Sequence, residues 1–245
     1  FDISGTTAGA SVRTLSGTGG VTLGARTLTL TNASTTFAGV IAGSGGLTVG
    51  GGTETLTGAN TYTGATTINS GATLALSGAG SIAASSGVAA NGTFDISGTT
   101  AGASVRTLSG AGGVTLGART LTLTNASTTF AGVIAGSGGL TVGGGTETLT
   151  GANTYTGATT INSGATLALS GTGSIAASSG VASNGTFDIS GTTAGASIRT
   201  LSGTGGVTLG TRTLTLTNAS SFFAGVIAGS GGLTVGGGFQ ELRGA

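Results

Sequence analysis

The chain repeats itself every 93 residues. The string FDISGTTAGAS begins at Phe1, at Phe94 and at Phe187. The first copy (1–93) and the second (94–186) differ only at Thr18/Ala111, Ala79/Thr172 and Ala90/Ser183. The third, partial copy (187–245) departs near its end, where TETLTGA becomes FQELRGA (239–245). A fixed period of this kind belongs to stacked architectures, in which each unit buries the hydrophobic face of the next. The three copies are therefore read as one continuous object.

Composition narrows the choice of stack. Charged residues are 5% of the chain, against about 25% in ordinary globular domains. Hydrophobic residues are 37%, enough for a core of Ala, Val, Leu and Ile, and the reverse of the disorder signature. Gly is 54 of 245 residues, but there is no Pro and no Gly-X-Y period, which excludes collagen. The net charge of +1 gives no electrostatic reason to expect nucleic acid or an anionic membrane surface. No apolar run approaches the ~18–20 residues of a membrane span.

Within each copy, short alternating triplets follow glycine: FDI at Phe1, VTL at Val21, LTV at Leu47 and LAL at Leu74, then Phe94. The steps are 20, 26, 27 and 20 residues. Each triplet is followed by a second alternating run, such as RTLTLTN (26–32) or TETLTGAN (53–60). Period-two alternation is the strand signal, and Gly, Asn and Ser fill the gaps as turns require. No stretch has a helical period. The pattern predicts an all-β fold, a right-handed parallel β-helix (a β-solenoid) with about four coils per 93-residue repeat. At ~4.8 Å per coil a copy then advances about 19 Å, and the whole chain, ten or eleven coils, about 50 Å. Leu28 and Leu30 are expected to face in, and Thr27, Thr29 and Thr31 out. Matching FAG to YTG places Phe37 over Tyr62 and Phe130 over Tyr155 in aromatic stacks. Asn32, Asn60, Asn69 and Asn91 fall where the chain should turn, and Asn tolerates left-handed backbone.

Candidate chemistry is sparse. Each full copy carries four charges, Asp2, Arg13, Arg26 and Glu54 and their equivalents. As a glycosidase pair, Asp2 and Glu54 lie in coils one and three, about 10 Å apart along the axis before any lateral offset. That exceeds the ~5–9.5 Å that retaining and inverting pairs need. Glu54 shares the face of Leu56 by period two. A buried unpaired carboxylate is costly, so Glu54 is expected at a solvated corner, with an Arg26 partner as the alternative. With no His or Cys, zinc, iron and copper lack their usual ligands, and no disulfide is possible. Ser and Thr have no His or Lys to act as base. GSGGLTVGGG (43–52) precedes no helix, so the phosphate-loop mechanism fails. No catalytic, cofactor or metal site is expected, and the chain is read as not an enzyme.

Two further patterns have ordinary explanations. Outward Thr in TLTLT and TETLT suggests an ice-matching ladder in coils two and three, but SVRTLS and GSIAAS interrupt it in coils one and four. The motifs at Asn32, Asn91, Asn125, Asn184 and Asn218 match the Asn-x-Ser/Thr glycosylation pattern. They suit turns equally, and the turn reading is preferred.

Residues 39–78 carry a longer signature: Gly58-Ala59-Asn60-Thr61-Tyr62-Thr63-Gly64, then Thr66-Thr67-Ile68-Asn69, then Gly71 and Leu74, recurring from Gly151 to Leu167. This closely resembles the autotransporter-associated β-strand repeat of bacterial type V secretion passengers. Glu54 departs from the apolar residue usual there. The resemblance implies a right-handed β-helical passenger exported through the outer membrane and displayed outside the bacterial cell surface. It implies a structural shaft of an adhesin or fibre, serving adhesion, autoaggregation or biofilm formation. The expected partners are further solenoid repeats at both ends, other shafts (side by side or end to end), and host or abiotic surfaces. Neither nucleic acid nor membrane insertion by this segment is expected. The alternative is that the repeats themselves form a multivalent carbohydrate- or self-binding surface. A polysaccharide-degrading β-helix lacks the acid clusters it would need.

Overall fold

In a computed structural model, which describes residues 1–244, the chain is all β. Every strand pairing is parallel, and the chain winds through about 12 turns of a β-solenoid. Ala245, the last residue of the third copy, lies outside the described residues.

Each turn has three sides, and three ladders of stacked strands run along the rod. The first ladder joins Ala10, Leu28, Leu47, Thr66, Val88 and Leu108, each pairing with the next. The second joins Thr35, Glu54, Leu74, Phe94, Val114 and Ile134. The third starts with Asp2, Thr22 and Ala42, passes Tyr62 and Ser81, and resumes as Ala103, Leu121, Leu140, Thr159, Val181 and Leu201. The first ladder continues past Leu108 through Thr128, whose hydroxyl donates to the Leu108 carbonyl at 2.6 Å, to Glu147, Leu167, Phe187, Val207 and Ile227.

These registers fix the relation between copies. Leu28 lies on the first ladder, its equivalent Leu121 on the third, and Leu214 on the second, following Ala196. One 93-residue copy therefore fills fourteen sides, or four and two-thirds turns, and each copy is rotated by a third of a turn from the one before. The expected four coils per copy undercounts this. The triplets at Val21, Leu47 and Leu74 do not share a side: Leu47 is on the first ladder, Leu74 on the second. The 53 residues between Val21 and Leu74 were thus read as two coils and hold nearly three. At ~4.8 Å per turn a copy advances about 22 Å and the chain about 58 Å.

The core follows from alternation. Leu28 and Leu30 are fully buried while Thr29 and Thr31 are not. Leu28, Leu47, Thr66 and Val88 form one inward stack, and Leu74, Phe94 and Val114 another. Each fully buried Leu, Ile or Phe contributes about 1.5–3 kcal/mol. The predicted aromatic stacks do not form. Phe37 pairs with Leu56 on the second ladder, while Tyr62 lies on the third and donates its backbone N–H to the Ile41 carbonyl. Both rings are buried on different sides. The outward Thr rows also stack differently. TLTLT lies against LTV (47–49), and TETLT against STTF (34–37).

Corners fall to glycine rather than asparagine. Among the described residues every positive φ belongs to Gly. Gly145, with φ of 71°, is doubly constrained: a Cβ there would also run into the carbonyl oxygen of Ala126 in the neighbouring turn. Gly164 has a similar φ of 79° but open space around it. This pair separates two costs. G164A is expected to lose only the left-handed backbone penalty, about 1 kcal/mol. G145A also forces two turns apart and is expected to lose at least twice that, read as the difference between the two melting curves.

Candidate functional site

The residues of the Gly58–Leu74 signature are structural. Asn60 is buried and ties three turns together. Its Oδ1 accepts from Ile41 N–H at 2.9 Å in the turn before, and its Nδ2 donates to Gly58 O at 2.9 Å and to Ser81 O at 3.1 Å in the turn after. Tyr62 Oη shares a hydrogen bond with Thr66 Oγ1 at 2.6 Å, which in turn shares one with Ser85 Oγ at 3.0 Å. Ser85 donates onward to Gly64 O at 2.9 Å. Burial holds the Tyr62 phenol well above its ordinary pKa. The chain of hydroxyls satisfies the backbone where it turns, as buried polar groups must be satisfied. The second copy repeats it at Asn153, Tyr155, Thr159 and Ser178.

The charged candidates are not brought together. Asp2 is exposed on the third ladder, and its Oδ1 accepts from Ser4 N–H at 2.8 Å, which lowers its pKa. Glu54 is on the second ladder, with its side chain inside the rod. The expectation of a solvated corner is overturned, and so is the Arg26 alternative, since the ion pair among the described residues is Arg243–Glu241. The five Asn of the Asn-x-Ser/Thr motifs all lie at exposed positions beside strand ends. Among the described residues no group of three acidic side chains comes together to hold a metal.

Glu54 is buried, and desolvation draws its carboxyl pKa up toward neutrality. Thr35 Oγ1 lies 2.6 Å from Leu15 O and 3.2 Å from Glu54 Oε2. The hydroxyl's single proton is directed at both oxygens, the carbonyl being the nearer. Glu54 Oε1 has no partner. Desolvation raises the pKa of Glu54 to about 7 and that of Glu147, the same site with a longer stack on either side, to about 8, the Thr contact partly opposing both. In the third copy the pair Thr35/Glu54 becomes Ser221/Gln240, and the Gln240 amide donates to Leu201 O at 3.0 Å. Gln is the uncharged shape of the same side chain.

Outside the core, two equivalent recesses open on the surface. One, of about 300 Å³, is lined by Gly78, Ser81, Thr100, Gly102 and Thr120 among others. The other, of about 420 Å³, lies 93 residues on, around Gly171, Ser174, Thr193 and Thr213. Arg119 closes the edge of the first by donating to Thr100 O at 3.0 Å, and Arg212 does the same to Thr193 O. No charged side chain lines either floor. The third surface feature is a pair of exposed rings, Phe222 and Phe239. Aligning the copies finds it, because each ring replaces an outward Thr (Thr36 and Thr53). Reading FQELRGA only for its lost Glu misses it.

The passenger-associated-transport-repeat family matches residues 49–76 and 141–169. Each match starts within an LTV strand and runs past the buried Glu and the Asn–Tyr corner into the strand Ala72–Gly78 or its equivalent, Ala165–Gly171. Neither the curated proteins nor the solved structures give a match. Two such repeats on a β-solenoid are consistent with an autotransporter passenger.

The buried acids give a pH dependence with a definite sign. The unfolded value is 4.5 and the folded values lie above it. Their stabilisation is therefore complete below pH 4.5 and is lost as pH rises through about 7 and 8. Melting temperature is expected to fall between pH 6 and 9. In E54Q/E147Q that fall should largely vanish, leaving the variant more stable at pH 9 by on the order of 2–3 kcal/mol per site.

Proposed function

We propose that this chain is the extracellular shaft of a bacterial surface adhesin or fibre, not itself catalytic, which holds a recognition element away from the cell. The observation that carries the proposal is the unbroken register. Strands of one copy pair directly with strands of the next, as Leu74 with Phe94 and Leu167 with Phe187, so copies add length without adding an interface. Low charge and absence of Cys suit a chain that crosses membranes unfolded and folds outside. Partners along the axis are further repeats or a second shaft, each pairing strand to strand with a neighbouring turn.

The test is cell-surface display of the full protein beside versions lacking one or two 93-residue copies. The shaft reading expects adhesion to persist while reach, measured by single-cell force spectroscopy, shortens by about 22 Å per copy. Adhesion and clumping that fall in proportion to the copies removed would instead make the repeats the adhesive surface, with weak sites acting by avidity.

A further inference from the structure

Over its 59 residues the third copy differs from the first at eight positions, and six of them, 221, 222, 239, 240, 241 and 243, fall on one pair of adjacent strands and the residue just beyond it. Strands Ala219–Phe223 and Gly238–Leu242 pair with Ser220 opposite Phe239 and Phe222 opposite Glu241. Two of the six changes are the matched inward pair Ser221/Gln240. The other four, Phe222, Phe239, Glu241 and Arg243, stand on the outer surface, where the first copy has Thr36, Thr53, Thr55 and Thr57.

The four outward residues form one constructed patch. Phe222 is 52% exposed and Phe239 72%. Arg243 lies over the Phe222 ring, 4.5 Å from its centre, and grips Glu241 through two hydrogen bonds, Nε to Oε1 at 2.7 Å and Nη2 to Oε2 at 3.0 Å. The paired charges cancel, and the bidentate bond fixes both side chains. Between the rings is an open recess of about 270 Å³, edged by Ser220, Ser221 and Glu241. Ser220, the other outward residue of these two strands, lies opposite Phe239.

We propose that this patch is a binding site for a neutral polysaccharide, one pyranose ring seated against Phe222 and Phe239. A pyranose has an apolar C–H face and a rim of hydroxyls. The rings supply the apolar platform. Ser220 and the outward lone pairs of Glu241 meet the rim, the carboxylate sharing its oxygens between Arg243 and sugar O–H donors. Internal charge cancellation gives an anionic or cationic ligand no advantage. A protein partner fits poorly. Stable protein interfaces need about 1,000 Å² or more with a packed aromatic centre, and two rings around a recess of about 270 Å³ fall well short of that. The site goes beyond the shaft role and holds whether or not the shaft is adhesive along its length.

The test uses the full 245-residue chain in native affinity electrophoresis with soluble dextran, galactomannan and xyloglucan, alginate serving as the anionic comparison. The expected result is retardation by at least one neutral polysaccharide and none by alginate. F222T/F239T restores the residues that the first two copies carry at these positions, so its fold is secure, and unchanged melting verifies it. It is expected to lose retardation at least tenfold. Carrying the patch into the second copy (T129F/T146F/T148E/T150R) is expected to double the number of sites in calorimetry. The proposal is overturned if no neutral polysaccharide retards the chain, or if F222T/F239T is retarded equally. It is also overturned if that variant changes only the sedimentation coefficient, which would make the patch a contact between copies.

Discussion

The constraint on which everything rests is the parallel ladder between successive turns. A solenoid turn has no partner of its own for its strand N–H and C=O groups; the turns above and below supply them. This holds the turns about 4.8 Å apart, and other features follow from that spacing. Inward side chains must stack on their equivalents, which is why Leu28, Leu47 and Val88 recur. Corners bring backbone against backbone, which leaves no room for a Cβ at Gly145. Where a corner leaves backbone groups short of partners, Asn60 and the Tyr62–Thr66–Ser85 relay reach across the gap. The stretch that the passenger-associated-transport-repeat family matches is thus a set of fasteners between turns.

Much of this was legible in the sequence. The period, the alternation of Leu and Thr in TLTLT, and the glycine-punctuated triplets led directly to a parallel solenoid with the correct faces in and out. The number of turns was not legible, because a three-sided turn distributes similar triplets over different sides. VTL, LTV and LAL look alike as strings, and nothing local marks Leu47 as belonging to another ladder from Leu74. Phe37 and Tyr62 misled for the same reason: both precede a small residue and Gly, yet one sits on a strand and the other at a corner. The turning Asn residues were overestimated because glycine was available at each left-handed position.

Glu54 shows where a local rule gave way to stacking. Period two placed it inward, and the cost of burying a charge argued it back out. Burial resolves the conflict by raising the carboxyl pKa, to about 7 at Glu54 and about 8 at Glu147. Thr35 and Glu54 change together to Ser221 and Gln240 in the third copy, so the two positions behave as one unit across neighbouring turns. The outward change to Phe222, Phe239, Glu241 and Arg243 is equally concerted. Near-identical copies make such departures conspicuous, because the background against which they are read is almost constant.

The extra two-thirds of a turn in each copy has a consequence for how such a protein varies. Gaining or losing one copy lengthens or shortens the rod, and it also swings everything beyond that point through 120° about the long axis. A feature at the far end therefore has three possible compass bearings relative to the base, and only changes in multiples of three copies restore its heading. Recombination between near-identical repeats becomes a rotary adjustment as well as a telescopic one.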